Sequence, residues 1–76
     1  MVEKYAIELN SIDKVKCFVN EINTLDGEFD LVSGKYIIDA KSIMGIFSLD
    51  LSKPLELRAE MEDKEQIKKL EKYMIK

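Results

Sequence analysis

The spacing of apolar residues predicts two elements in the first third of the chain. Over Val2–Leu9, charged and apolar residues alternate, and Tyr5, Ile7 and Leu9 share one face of a half-buried strand. Asn10-Ser11 is a helix start signal. Apolar residues then recur at three- and four-residue steps, which predicts a buried stripe on an amphipathic helix ending near Asn23. The stripe consists of Ile12, Val15, Phe18 (or Val19) and Ile22.

Alternation returns in the middle of the chain and predicts a hairpin. Leu25-Asp26-Gly27 indicates a turn, and Glu28–Val32 follows as a strand with Phe29 and Leu31 on one face. Ser33-Gly34 is a hairpin turn signal. The chain then returns over Lys35–Ala40. These segments predict two adjacent antiparallel strands.

A strand and a helix are predicted at the C-terminal end. Leu55–Ala59 alternates cleanly between apolar and charged residues, as a half-buried strand does. The last helix is predicted to start at Asp63, with Gln66 three residues later as a capping-box pair. Its predicted buried stripe is Ile67, Leu70 and Met74, with Tyr73 at the edge.

The segment Asp39–Leu51 carries the most information. Ser42 is predicted to cap a short helix, because a serine hydroxyl accepts a backbone N–H from the first turn. Ile46 and Leu49 share the buried stripe of that helix, followed by Leu51. A second apolar face, made by Ile43, Met44 and Phe47, stays in water, which predicts a docking surface.

The predicted element order is therefore β-α-β-β-α-β-α. Hairpins with intervening helices favour an α+β open-faced sandwich. We expect a four-stranded, mostly antiparallel sheet with all three helices on one face. The 76 residues make a single domain, residues 1–76.

Composition excludes several functional classes. The chain has no histidine, which removes His-containing metal sites and His-based acid–base chemistry. It has no Gly-rich phosphate loop, and its carboxylates are scattered, so we expect no enzyme, cofactor or small-molecule substrate. The net charge of −3 comes without a basic stripe, which argues against direct nucleic-acid binding. Signal-peptide and membrane-spanning patterns are also missing, so no membrane partner is expected.

The single cysteine and the lysines of the last helix receive ordinary structural interpretations. One cysteine, Cys17, excludes an internal disulfide and fits a reducing cytoplasm. Because Cys17 adjoins Phe18, we expect it to be buried rather than reactive. The lysines are expected to form a solvated face paired with Glu65 and Glu71. They are Lys64, Lys68, Lys69, Lys72 and Lys76.

The element order and the Ser42 segment together resemble HPr, the histidine-containing phosphocarrier of the bacterial sugar phosphotransferase system. The sharpest match is the run Ala40-Lys41-Ser42-Ile43-Met44-Gly45-Ile46-Phe47-Ser48-Leu49. In that family this run carries a regulatory serine and its helix. The pattern resemblance covers nearly the whole chain. It implies that Ser42 is a regulatory phosphorylation site and that Lys41, Ile43, Met44 and Phe47 contact partners.

The carrier motif of the family is degenerate in this chain. The family has a Gly-Leu-His-x-Arg-Pro segment at the first helix, where this chain reads Asn10-Ser11-Ile12-Asp13-Lys14. Ser11 stands at the place of the phosphorylated histidine, and Asp13 and Lys14 replace the arginine and the proline. A serine phosphate ester is far less reactive than a phosphoimidazole, and Asp13 would repel a phosphate that an arginine attracts. We expect Ser11 to be only a helix cap.

The resemblance therefore implies a regulatory protein, similar to the histidine-lacking catabolite repression HPr. A phosphate on Ser42 would lie at a helix start, beside the apolar face, and a partner with an arginine cluster would read both. The implied partners are HPr kinase and a transcriptional regulator or sugar-system proteins. Three alternatives stay open: Ser42 is only a cap, the protein docks without any phosphate, or it is a carrier with an unusual acceptor.

Overall fold

A computed structural model describes residues 2–75, and its elements follow the predicted order. The elements are strand β1 (Glu3–Ile7), helix α1 (Ile12–Ile22), strands β2 (Glu28–Ser33) and β3 (Tyr36–Asp39), helix α2 (Ile43–Phe47), strand β4 (Leu55–Glu60) and a C-terminal helix (Lys64–Tyr73). Lys76, one of the lysines assigned to the last helix, lies outside the described residues. No helix within residues 2–75 combines the length and apolarity required to cross a bilayer.

The four strands form one antiparallel sheet in the order β1-β4-β2-β3. β4 therefore lies between β1 and β2, with Leu57 opposite both Tyr5 and Leu31. The hairpin between β2 and β3 turns at Gly34, whose φ of 58° is the left-handed conformation that glycine adopts without steric cost. The predicted fold class is confirmed.

One face of the sheet is buried under the helices. Phe29 and Leu31 of β2 point to this face, as predicted, with Leu57 and Ala59 of β4 beside them. The alternating residues of the same strands face solvent or are half-buried. α1 contacts both α2 and the C-terminal helix over this face. The period-two pattern therefore identified the core side of the sheet correctly.

Helix α1 confirms the predicted cap and corrects two expectations about its faces. Ser11 Oγ accepts the Lys14 N–H at 3.1 Å, as an N-cap serine does. Ile12, predicted to be buried, is 63% exposed. A helical side chain covers the turn before its own Cα, and Ile12 has no preceding helical turn to cover. Cys17, also predicted to be buried, is exposed next to the buried Phe18.

The C-terminal helix differs from the prediction in its winding and in its capping. It is a 3₁₀ helix rather than an α-helix. Asp63 caps it by accepting the Glu65 N–H at 3.1 Å. Gln66 does not complete a capping box. Its carboxamide reaches 40 residues back, where Oε1 accepts the Asp26 N–H and Nε2 donates to the Asp26 carbonyl, each at 3.0 Å.

The end of this helix is anchored in the core. Tyr73, expected at the edge of the stripe, is buried. Its ring packs edge-to-face with the Phe18 ring, with the two ring centroids 5.4 Å apart. Beyond it the chain runs along β1, and the Ile75 N–H donates to the Ala6 carbonyl at 2.9 Å. This contact partly covers the outer edge of the sheet at β1.

Two lysines of the C-terminal helix pair with glutamates from other elements. Lys64 pairs with Glu3 at 3.1 Å, and Lys72 pairs with Glu21 of α1. The predicted pairing with Glu65 and Glu71 is absent among the described residues. Lys64 and Lys72 instead reach glutamates of neighbouring elements. Such exposed pairs contribute little stability.

Candidate docking and modification site on helix α2

The site starts at the turn between β3 and α2. The Lys41 N–H donates to Asp39 Oδ1 at 2.9 Å, and the Ser42 N–H donates to the Asp39 carbonyl at 3.0 Å. Asp39 thereby reverses the chain at the end of its strand. The turn presents Ser42 on the surface.

Ser42 is an exposed N-cap, as predicted. Its Oγ accepts the Gly45 N–H at 3.2 Å. A Cβ on residue 45 would come within 3.2 Å of that Oγ, so Gly45 leaves space around the hydroxyl that a larger residue would narrow. Gly45 belongs to the run that resembles the family, but no role was predicted for it. Its spacing of three residues from the cap is the signal that could have identified it.

Helix α2 is only five residues long, which limits its dipole. Ser48 closes the helix and donates its own hydroxyl hydrogen bond to the Gly45 carbonyl. Two exposed serines therefore bracket the helix, and only Ser42 is at its N-terminal end. What distinguishes Ser42 is therefore its place at the N-terminus of the helix that exposes Met44 and Phe47, rather than a strong helix dipole.

The two faces of α2 separate largely as predicted. Ile46 is fully buried, and Leu49 and Leu51 pack partly buried against the core. Met44 is 79% exposed and Phe47 is 40% exposed. Ile43, predicted to be exposed with Met44 and Phe47, is instead half-buried against the core. Lys41 is half-exposed beside Ser42.

The residues of the degenerate carrier motif, Ser11, Asp13 and Lys14, lie at the start of helix α1. In the sequence they are far from Ser42. Ser11, Asp13 and Lys14 are all exposed. Ser11 accepts a backbone N–H, and Asp13 places a negative charge in the first turn of the helix, where carboxylates are stabilising. The arrangement is that of an ordinary helix start. Ile12, also exposed there, is an apolar surface residue that the sequence prediction had assigned to the core.

Two solved structures of HPr proteins share this fold. HPr-C-His from Thermoanaerobacter tengcongensis superposes with a TM-score of 0.78 at 27% sequence identity, covering 92% of this chain and 88% of that one. The phosphocarrier protein HPr from Bacillus anthracis str. Ames superposes with a TM-score of 0.74 at 23% identity, covering 99% of this chain and 96% of that one. No protein-family model matches the sequence, and neither does any curated protein.

These similarities show that the chain has an HPr-like fold. The shared structure spans almost the full length of both chains. This chain contains no histidine at any position.

Proposed function

We propose that this protein is a regulatory member of the HPr family, acting in the cytoplasm, in which Ser42 is phosphorylated and α2 is the docking surface. The observation that carries the proposal is that Ser42 is exposed at the N-terminus of α2, the same helix that exposes Met44 and Phe47. A modifying enzyme and a reader protein would approach the same surface. HPr kinase is the proposed modifying enzyme, and a transcriptional regulator or a sugar-system protein is the proposed reader.

A phosphate on Ser42 would act through charge. It adds about 1.5 to 2 negative charges and three acceptor oxygens at neutral pH. Lys41 is the nearest cation in sequence, and one lysine neutralises only part of that charge. An arginine cluster on a partner would take the remaining charge, while Met44 and Phe47 would bury apolar surface against it. Recognition would thus require both the phosphate and the apolar face.

Phosphate-independent docking is the second candidate function. Met44 is 79% exposed without any modification, so the apolar surface exists before phosphorylation. Ser42 also has a structural task, since its hydroxyl caps α2. In this case the partner would bind the unmodified protein.

A carrier with an unusual acceptor is the weakest candidate. Carrier chemistry needs a leaving nitrogen or an equally labile group, and the chain has no imidazole. Ser11 is a cap with Asp13 two residues away, which disfavours a phosphate dianion.

The test uses two labelling reactions on the intact protein. One contains bacterial HPr kinase and ATP, and the other contains phosphoenolpyruvate and the first enzyme of the sugar phosphotransferase system. We expect label from ATP only, lost in Ser42→Ala and kept in Ser48→Ala. Ser48 is the matched control because it is exposed at the other end of the same helix.

The outcomes separate the three functions. Equal labelling of wild type and Ser42→Ala would contradict the assigned site. No label in either reaction, together with capture of the reader protein by wild type but not by Met44→Ala, would support phosphate-independent docking. Acid-labile label from phosphoenolpyruvate would establish a carrier and overturn the regulatory proposal.

A further inference from the structure

The C-terminal helix is wound as a 3₁₀ helix over ten residues, Lys64–Tyr73. Runs of 3₁₀ helix longer than three or four residues are uncommon, because their hydrogen bonds are less well aligned than those of an α-helix. The residues of this segment are instead good α-helix formers, since all except Ile67 and Tyr73 are Lys, Glu, Gln or Leu. Local preference and the observed winding therefore disagree in this segment.

The start of the segment offers Gln66 two possible partners. Asp63 and Gln66 have the spacing of a capping box, in which the Gln66 side chain accepts the Asp63 N–H. In the structure the Gln66 carboxamide instead forms two hydrogen bonds of 3.0 Å with the backbone of Asp26, in the turn between α1 and β2. It also donates to the Asp63 carbonyl, at the longer distance of 3.3 Å. Gln66 is therefore a clamp on a distant turn, and the capping box is not formed.

The end of the segment offers two residues for one position in the core. Ile67, Leu70 and Tyr73 recur at steps of three, so a 3₁₀ helix places them on one face, and Tyr73 packs against Phe18. Ile67, Leu70 and Met74 recur at steps of three and four, which is the spacing of an α-helical stripe. In the structure Met74 follows the helix and is half-buried. The winding thus decides whether Tyr73 or Met74 completes the buried face.

The two windings bring these alternative residues to almost the same place. From Ile67 to Tyr73, six steps of about 2.0 Å cover about 12 Å in a 3₁₀ helix. From Ile67 to Met74, seven steps of about 1.5 Å cover about 10.5 Å in an α-helix. Both paths complete about two turns, so each residue returns to the face of Ile67. Met74 therefore reaches the place of Tyr73 with a shift of about 1.5 Å along the helix axis.

Backbone hydrogen bonds to β1 hold the end of the observed helix. The Glu8 N–H donates to the Tyr73 carbonyl at 2.8 Å. The Ile75 N–H donates to the Ala6 carbonyl at 2.9 Å. Together with the Gln66 clamp at the start, these bonds fix both ends of the segment to other elements. Tertiary contacts rather than local preference therefore select the 3₁₀ winding.

The buried end of the segment carries a cost in this winding. The Tyr73 hydroxyl is buried near the Glu21 carboxylate, but neither it nor Glu21 Oε2 forms a hydrogen bond of normal geometry among residues 2–75. Buried polar groups without good partners cost free energy, and the thioether of Met74 in the same place has no donor to satisfy. The α-helical winding would relieve this cost and lose the bonds to β1.

We propose that the C-terminal segment is a two-position strap that alternates between the observed 3₁₀ winding and an α-helical winding of the same residues. In the α-helical position Gln66 completes the capping box with Asp63, and Met74 takes the place of Tyr73 against the core. The Asp26 turn is then released, the Tyr73 ring turns toward solvent, and the two hydrogen bonds to β1 break. Any molecule that binds only one of the two positions shifts their populations.

The test examines the full chain by NMR. Close contacts between an α-proton and the amide two residues later report a 3₁₀ helix, and contacts with the amide four residues later report an α-helix. In the wild type we expect both sets of contacts over Lys64–Tyr73. Relaxation dispersion should show exchange on the microsecond-to-millisecond timescale in this segment and at the Glu8 and Asp26 amides, which lose their partners in the α-helical position. The β2–β3 hairpin is the internal control and should show none.

Two neighbouring truncations should move the strap in opposite directions. Tyr73→Ala removes the residue that the 3₁₀ winding places against the core, so the α-helical contacts should become severalfold stronger relative to the 3₁₀ contacts. Met74→Ala removes the residue that the α-helical winding places there, so it should leave only the 3₁₀ contacts and abolish the exchange. Truncations that move the winding in the same direction would overturn the proposal.

Gln66→Glu tests the strap without touching the core, in case Tyr73→Ala does not fold. A carboxylate can accept the Asp63 N–H in the capping box but cannot donate to the Asp26 carbonyl, so this variant should shift the contacts severalfold toward the α-helix. Circular dichroism would confirm that it is folded. A wild type with the contacts of one winding and no exchange, or a Gln66→Glu variant with the wild-type proportion of contacts, would overturn the proposal.

Discussion

Truncations along α2 should destabilise the protein in the order of burial, which gives the sharpest test of which face is exposed. Ile46 is fully buried, Phe47 is 40% exposed and Met44 is 79% exposed. These three residues lie on one five-residue helix, so differences in helix propensity and chain position are small. The series therefore isolates burial.

The magnitudes follow from the buried fraction. Ile46→Ala should cost about 2–5 kcal/mol, the range for a buried aliphatic truncation. Phe47→Ala should cost about 2–3 kcal/mol, which is roughly three-fifths of the cost of a fully buried phenylalanine. Met44→Ala should cost about 0.5–1 kcal/mol because only about a fifth of its side chain is buried.

Urea unfolding followed by far-UV circular dichroism measures these differences, since the chain has no tryptophan for fluorescence. The transition midpoints should shift while the slopes stay equal, which keeps the comparison within a two-state description. Phe47→Ala costing as much as Ile46→Ala would place Phe47 in the core. A Met44→Ala cost above about 1.5 kcal/mol, well beyond the usual surface effect, would do the same for Met44.

Four further predictions test the supporting structure. Ser42→Ala should lower the free energy of unfolding, measured by urea unfolding, by about 0.5–1 kcal/mol through loss of one exposed helix cap, and Ser48→Ala is measured for comparison. No loss in Ser42→Ala would mean that the 3.2 Å hydrogen bond from the Gly45 N–H contributes nothing to stability. Gly27→Ala should lower the free energy of unfolding by about 2–5 kcal/mol, because φ is 129° and the new Cβ would collide with the Glu60 carbonyl. Gly34→Ala should lower it by only about 1–2 kcal/mol, because nothing lies near the new Cβ. Equal costs for the two substitutions would contradict the collision at Gly27. Gln66→Ala should speed hydrogen exchange of the Asp26 amide and lower the free energy of unfolding by about 1–2 kcal/mol, because it removes the two hydrogen bonds to Asp26. An unchanged exchange rate would show that these hydrogen bonds do not persist in solution. Burial, and then the Glu21 charge, raises the pKa of Tyr73 above 10.0 in the folded protein. The unfolded state therefore loses the phenol proton first, so the free energy of unfolding falls as pH rises above about 10. Tyr73→Phe should reduce this fall, and identical alkaline stability profiles of the two proteins would refute the raised pKa.

The chain determines its local structure through short-range patterns. The alternation in β2 and β4, the serine caps at residues 11 and 42 and the turn at Gly34 all act within a few residues, so the sequence alone predicts them. The same is true of the split between Ile46 and Met44 on α2, because a helix separates its faces by spacing alone. The element order and the fold class follow from these signals.

The tertiary structure decided everything that depends on distant neighbours. Tyr73 is buried because Phe18 lies opposite it, and the Gln66 side chain bonds Asp26, 40 residues away, as well as Asp63 at the start of its own helix. Cys17 and Ile12 are exposed because no element packs over them, although their sequence neighbours are apolar. The open edge at β3 also depends on the strand order, which local periodicity does not encode. A local pattern specifies only which face of an element is apolar. Whether that face is buried depends on which other elements of the chain pack against it in the completed fold.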